Sequence, residues 1–426
     1  MVPLLLAALL AAAALPTPTP VAADDKAPAP PGEFFFKAGD RVVFLGDSIT
    51  EQYQYSTYVE LYLTTRFPDG KMSFLNAGIG GDTAGGGANR FQSHVLDEKP
   101  TAVTINFGMN DGGYGKFDAG RNKVYVEKTE AMLKMAKDAG VRVALLSPNA
   151  VDRRNKTNGA EYVVTQKQFY APLAGLAGKY GFAFVDQYAV TKAATDRMEE
   201  ADPKAKTAVP YYDGFHTSPP GGLLMAHAIL TGLKAPAVVS ELSIDAAGGK
   251  VLAEKGCKVS NLAGTPAAPM TSVAFTRRDD ALPVPVQKDW VAMLPYTNGL
   301  NNLNRYGLTV KGLVEGDYAV TIDGKEVAKY TAKELAAGVN LGTATAGPVW
   351  EQGTAVLKAI DAKNQMVKGR FQGILRGGDS YWNTPAGQKR RAAELATRRA
   401  EIDAAQAEVY KLAAPQARRW EVRPTP

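Results

Sequence analysis

Arg41-Val42-Val43-Phe44-Leu45-Gly46-Asp47-Ser48-Ile49-Thr50 is the stretch on which the fold turns. Its apolar, β-branched run stops abruptly at a glycine, which predicts a short buried strand with structure starting near Arg41. The same pattern recurs along the chain. Ser73-Phe74-Leu75-Asn76 precedes a glycine-rich loop, and Ala102-Val103-Thr104-Ile105-Asn106-Phe107 ends at Gly108. Val141 to Leu146 ends at Ser147-Pro148, and Phe182-Ala183-Phe184-Val185 ends at Asp186. Helical periodicity fills the gaps over 58–67, 124–139 and 166–180, with Gly140 and Gly181 standing where helices commonly stop. Strands alternating with helices predict an α/β fold whose parallel sheet is covered on both faces. In such sheets a site forms beyond the C-terminal strand ends. The polar and glycine-rich segments fall there.

The rhythm changes after about residue 235. Tyr318-Ala319-Val320-Thr321-Ile322 alternates as a strand does, and Asp323-Gly324 predicts a hairpin turn into Lys325-Glu326-Val327. Thr331-Ala332-Lys333-Glu334 has the form of a capping box. Residues 348–362 read as helix. A second long helix follows Thr384-Pro385, with a narrow seam of Leu395, Ile402 and Val409 that is expected to dock on the protein itself, a partner helix being the alternative. The layout expected is a signal peptide over 1–23, a linker over 24–38 and a catalytic domain over 39–235. A β-rich accessory region over 236–375 and a C-terminal helix and tail over 376–426 follow. The accessory region either binds carbohydrate or packs over the first domain and frames its cleft. Trp290, Trp350 and Trp382 are expected in its core or interfaces.

The composition of the 426 residues, 45% hydrophobic and 22% charged, is that of a globular protein. The net charge of +6 is scattered rather than gathered on a motif, so nucleic-acid binding is not expected. The local excess at Lys389, Arg390, Arg391, Arg398 and Arg399 reads as a solvated face. One cysteine, Cys257, excludes an internal disulfide and a cysteine-built metal site. The apolar run Val2 to Leu15, followed by Val21-Ala22-Ala23, reads as a signal peptide too short to span a bilayer. No Lys or Arg precedes that run. A secreted or periplasmic protein with no membrane span is expected.

Four short blocks carry chemistry. Gly46-Asp47-Ser48-Ile49-Thr50 can present a hydroxyl at a strand-to-helix turn, although the same residues also serve as a helix cap. Asn76-Ala77-Gly78-Ile79-Gly80-Gly81-Asp82-Thr83 lets backbone N–H groups approach a ligand. Gly108-Met109-Asn110-Asp111 offers a side-chain amide, and Asp213-Gly214-Phe215-His216-Thr217 sets a carboxylate three residues before an imidazole. Of the three histidines, His94 lies in a helical pattern far from the other blocks and His227 within the apolar helical run Leu223 to Leu233, which leaves His216 with its acidic partner and loop context.

Taken together and in this order, the blocks over about residues 41–233 resemble the GDSL/SGNH hydrolase family, with Ile49 where the family name has Leu. The resemblance implies a three-layer, flavodoxin-like fold carrying a smaller β-rich and helical C-terminal region. It implies Ser48 as nucleophile, His216 as general base and then acid, and Asp213 as the group orienting it. The oxyanion hole would be the Ser48 N–H, the Gly81 N–H and the Asn110 amide. Gly81 is preferred to Gly80 because it directly precedes Asp82-Thr83. Asp47 would shape the turn. Such chemistry uses no cofactor, and the acidic residues form no recognisable metal cluster. The resemblance leaves lipase, lysophospholipase, thioesterase and carbohydrate deacetylase open. Export and the polar loops favour O-acetyl groups on glycans. The Tyr114 and Phe117 loop suits sugar stacking or simple burial equally. Acyl transfer to a sugar, or carbohydrate binding without catalysis on the same fold, are the readings of other classes. Oligomeric state is left open.

Overall fold

The computed structural model describes residues 33–155, 160–264, 272–377 and 384–425. The signal-peptide stretch, most of the linker and Trp382 lie outside them. In chain order the elements are β1 (Arg41–Gly46), α1 (Ser48–Glu51), α2 (Gln54–Arg66), β2 (Ser73–Gly78), α3 (Ala84–His94), β3 (Ala102–Asn106), α4 (Ala119–Asp138), β4 (Arg142–Leu146), α5 (Ala160–Tyr170), α6 (Leu173–Tyr180), β5 (Ala183–Val185), α7 (Gln187–Ala201) and α8 (Pro219–Gly232). Then come β6 (Val238–Asp245), β7 (Lys250–Lys255), β8 (Cys257–Gly264), β9 (Val273–Asp279), β10 (Arg305–Lys311), β11 (Asp317–Ile322), β12 (Lys325–Thr331), α9 (Ala332–Ala337), β13 (Val339–Asn340), α10 (Pro348–Arg370), α11 (Pro385–Ala413) and β14 (Arg418–Pro424).

The first five strands form one parallel sheet in the order β2-β1-β3-β4-β5, the flavodoxin-like arrangement. Val42, Val43, Phe44 and Leu45 of β1 are fully buried, as are Ala102, Val103 and Ile105 of β3. This is what a strand covered on both faces requires. Helices α2 and α8 pack together, and α3, α4 and α6 make a separate group, giving the three layers. The order reverses between β1 and β3, so a crevice opens above their C-terminal ends.

The helices differ from the sequence expectation in ways that trace to particular residues. The 166–180 helix is two helices, because Pro172 has no N–H to donate and becomes the cap of α6. Helix α7 was not anticipated. Asp186, read only as the end of a strand, accepts a hydrogen bond from Ala189 N and caps it. The linker ends earlier than residue 38, since Phe36 is buried and Phe34 stacks on Phe67.

Beyond α8 the chain builds two sheets, β13-β10-β6-β7 and β12-β11-β14-β9-β8, around one shared apolar core. The hairpin at Asp323-Gly324 and the capping box of Thr331 and Glu334 are both present. Residues 376–426 are not a helix and tail set apart. β14 lies between β11 and β9, and its alternate residues Trp420 and Val422 are fully buried in the sandwich. Likewise α10 and α11, which pack as a pair, contribute Val356, Ile360, Ile402 and Val409 to the core of the α/β layer rather than to the β-region. Nor is the basic stretch of α11 wholly solvated. Arg391 Nε donates to the Ile374 carbonyl, and Arg399 reaches Glu98, which also pairs with Arg370.

A buried ion pair joins the two halves. Lys363 Nζ of α10 lies 2.8 Å from a carboxylate oxygen of Glu60 on α2, with both side chains almost wholly inaccessible. Asn364 donates to Thr57 beside it. Burial pushes the Glu60 carboxyl up and the Lys363 ammonium down, against their mutual attraction. Removing one partner strands the other, whereas an apolar pair of similar volume is tolerated. Lys363→Met alone should therefore cost about 3–5 kcal/mol in a denaturant titration. Glu60→Leu added to it should recover most of that loss. A single-variant cost below about 1 kcal/mol would contradict this account of the joint.

Candidate active site

The sheet register brings three strand ends level. Gly46 of β1 is paired with Gly78 of β2 and with Asn106 of β3. The loops leaving these strands, which hold the first three chemical blocks, therefore start side by side. Helix α1 begins one residue after β1, and the Asp47 side chain accepts from Ile49 N at 3.0 Å. Ser48 thus stands at the first helical position, where backbone N–H groups have no partner within the helix. So tight a turn needs room. A Cβ on Gly78 would sit 2.2 Å from the Glu51 backbone nitrogen, so only glycine lets β2 pass under α1.

The fourth block arrives from the far end of the domain. Ser48 Oγ lies 2.8 Å from His216 Nε2, and His216 Nδ1 lies 2.6 Å from Asp213 Oδ2. The other Asp213 oxygen accepts from the backbone N–H of His216 at 2.8 Å and of Phe215 at 3.2 Å. Desolvation alone would raise the Asp213 carboxyl. The His216 side chain and these two N–H groups outweigh it and hold the carboxyl below its usual range. Asp213 is thereby kept ionised, and it fixes both the imidazole and the loop carrying it.

Gln52, the C-cap of α1 and without any local sequence signal, clamps that loop to the helix. Its Oε1 accepts from Thr217 N and Thr217 Oγ1, and its Nε2 donates to Tyr212 Oη. From β4 side, Asn149 Nδ2 donates to the Phe215 carbonyl. Tyr212 is 59% exposed and lies nearly parallel to the His216 ring at 5.8 Å.

Gly81 has φ +74°, in the left-handed region that favours glycine, within the turn closed by Asp82 N on the Ile79 carbonyl. Gly80 instead faces Glu51, whose carboxylate a Cβ there would meet at 2.8 Å. Asn110 Nδ2 donates to the Asp82 carbonyl at 2.8 Å, so the second and third loops touch through this amide. Asp111 ties them again, accepting from Ala84 N and Gly108 N. Arg90 holds the base of the arrangement. Its Nη1 donates to the Ala77 carbonyl, its Nη2 to the Gly46 carbonyl and its Nε to Asp82.

The other histidines serve packing. His227 is hydrogen-bonded to Asn302, and His94 meets Phe371 edge-on, its pKa pushed down to about 4 by burial and the nearby Arg90. Of the stacking candidates, Tyr114 is half-buried and Phe117 exposed. Among the described residues no group of three or more His, Cys, Asp or Glu could hold a metal. No helix there is long and apolar enough to cross a membrane. Residues from outside the expected domain also reach the site's edge. Gln372 Nε2 donates to Glu51, and Arg376 stands 3.9 Å from the same carboxylate.

Residues 44–222 match the sequence profile of the GDSL-like lipase/acylhydrolase family. Esterase TesA of Pseudomonas aeruginosa is 29% identical over 178 residues, covering 38% of this chain and 86% of that protein. An acetylxylan esterase of Geobacillus stearothermophilus is 25% identical over 215 residues, covering 45% of this chain and 93% of that one. A 42-residue match, 52% identical, to an uncharacterized lipoprotein of Bacillus subtilis spans 17% of that protein. Among solved structures, a gut microbial diltiazem-metabolizing enzyme superposes with a TM-score of 0.77 at 23% identity. That likeness covers 92% of this chain and 98% of the other, so it extends to the C-terminal sheets and helices. Over residues 44–222 the chain therefore carries a domain of the GDSL-like lipase/acylhydrolase family, and it is an ester-bond hydrolase.

Proposed function

We propose that the protein is an exported serine esterase that removes short acyl groups, acetyl foremost, from the hydroxyls of glycans. The observation that carries the catalytic part is the unbroken relay of Ser48, His216 and Asp213, at 2.8 and 2.6 Å. In this reading Ser48 Oγ attacks the ester carbonyl while His216 Nε2 takes its proton. His216 keeps its Nδ1 proton and donates it in a hydrogen bond to Asp213, whose carboxylate stabilises the imidazolium. Negative charge grows on the carbonyl oxygen and is met by the N–H groups of Ser48 and Gly81 and by Asn110 Nδ2. His216 then protonates the leaving alcohol, and a water activated by the same imidazole releases the acyl group from Ser48. None of these steps calls on a metal or cofactor.

Two observations support a sugar alcohol. Tyr212 offers an exposed aromatic face beside the base, where a pyranose ring can stack next to its scissile ester. An acetylxylan esterase is among the relatives. We assign catalysis to residues 39–235. The later residues wall one side of the cleft, as the contact of Gln372 with Glu51 suggests. Export rests on the N-terminal sequence alone.

The experiment is hydrolysis of 4-nitrophenyl esters from acetate to dodecanoate by the mature protein and by Ser48→Ala. The variant should keep its circular dichroism and fall below about a thousandth of the wild-type rate. Acetate should be the best ester. Equal rates in both proteins would remove Ser48 from the chemistry, and a preference for long chains would remove the deacetylase reading.

Asp47 serves the turn rather than the reaction in this account. Burial, with Asp111 and Asp82 nearby, raises its carboxyl to about 7 against the pull of the Ile49 N–H. Between the ordinary carboxylate range and pH 7 the folded state keeps a proton that the unfolded chain releases. Stability from this group is therefore full in acid and lost as pH rises toward 7. Asp47→Asn keeps an oxygen for Ile49 N and never ionises. Its stability relative to wild type should improve between pH 5 and pH 8 by about 1 kcal/mol or more. A difference that is the same at both pH values would contradict this.

A further inference from the structure

We propose that Tyr114 is a positioning residue that sets the orientation of the Asn110 amide; the proposal rests on the reading of that amide as an oxyanion donor. An asparagine amide turns about a soft torsion, and its two ends have opposite character. An amide reversed at this place would aim a carbonyl oxygen at the developing negative charge. Here both ends are engaged. Nδ2 gives one hydrogen to the Asp82 carbonyl at 2.8 Å, which leaves its second hydrogen for the reacting oxygen. At the opposite end, Tyr114 Oη donates to Asn110 Oδ1 at 2.8 Å. That second bond holds the amide plane and draws charge toward Oδ1, which strengthens the Nδ2–H groups as donors.

The backbone gives an independent reason to assign Tyr114 a task. Its φ is +56°, a left-handed conformation rare for a residue with a bulky side chain. Such outliers persist where the surroundings over-determine them, and they cluster at functional sites. Here the outlier sends the ring back toward Asn110, four residues earlier in the chain. The ring is wedged against Phe215 at 4.9 Å and Tyr162 at 6.1 Å. Phe215 in turn touches the His216 ring at 4.5 Å. One side chain therefore braces the donor amide with its hydroxyl and the base-carrying loop with its ring. Burial raises the phenol, so it remains a protonated donor at the pH where an esterase works.

The two contributions separate on substitution, because Tyr114→Phe removes the hydroxyl and keeps the ring. The test is a double-mutant cycle on 4-nitrophenyl acetate with Tyr114→Phe, Asn110→Ala and both together. Asn110→Ala should lose about a hundredfold or more in kcat. Tyr114→Phe should lose about tenfold in kcat with KM within about twofold, the signature of an interaction that matters in the transition state. In the Asn110→Ala background the second substitution should change kcat by less than about twofold, since the amide it positions is gone. Wild-type kcat in Tyr114→Phe, with Asn110→Ala slow, would overturn the positioning role and leave the oxyanion reading standing. An undiminished tenfold loss in the Asn110→Ala background would also overturn it. Wild-type kcat in Asn110→Ala would overturn the oxyanion reading and the positioning role with it.

Discussion

Everything at this site depends on three parallel strands finishing level with one another. The register pairs Gly46 with Gly78 and with Asn106, so the loops carrying Ser48, Gly81 and Asn110 begin on one line. The carbonyls at these strand ends must find donors. The Gly46 carbonyl accepts from Ile79 N and also from the buried guanidinium of Arg90, which donates as well to the Ala77 carbonyl and turns its third edge to Asp82. A planar cation with five donors in a fixed fork suits that task as lysine does not. Around this base the glycines are spacers. Where β2 passes under α1 there is no volume for a β-carbon.

The histidine comes from a loop 168 residues further along the chain, and its placement has a separate cause. Asp213 closes its own loop on two backbone N–H groups before it meets the imidazole, so the carboxylate is rigid when it is needed. Gln52 then fastens that loop to the helix bearing Ser48. Pre-organisation of this kind matters more than the identity of any one donor. Groups already aimed at the charge of a transition state do not have to reorganise during the reaction. The C-terminal helical pair extends the same rigidity outward. It is locked to α2 by Glu60 and Lys363 and touches Glu51 next to the glycine loop.

The sequence was legible where its signals were local. Each strand of the parallel sheet could be read from an apolar run broken by a glycine, a proline or an aspartate. The four chemical blocks could be read because each sits directly at a strand end or in a short loop. The hairpin at Asp323-Gly324 and the cap at Thr331 were legible for the same reason. What failed was non-local. β14 has two apolar residues among charged ones, and nothing in Arg418–Pro424 reveals that it fills the middle of a sheet. The 236–375 division placed α10 with the β-rich region because periodicity locates a helix without saying which core its stripe meets. Gln52, the C-cap of α1, and Arg90, inside α3, carry no local signal of a role. Only the fold makes them the clamp and the staple of the site. Tyr114 was noticed as an aromatic near polar groups, but its hydroxyl contact with Asn110 cannot be read from spacing.

The central claim is that Ser48 is the activated hydroxyl of this chain and that His216 activates it. The most direct measurement is intact mass and peptide mapping after exposure to an alkyl fluorophosphonate, which captures a serine only when a neighbouring base takes its proton. The account predicts one adduct per chain, located on Ser48, and its loss in His216→Asn with the fold unchanged. No adduct, an adduct on another residue, or full labelling of Ser48 in His216→Asn would contradict it.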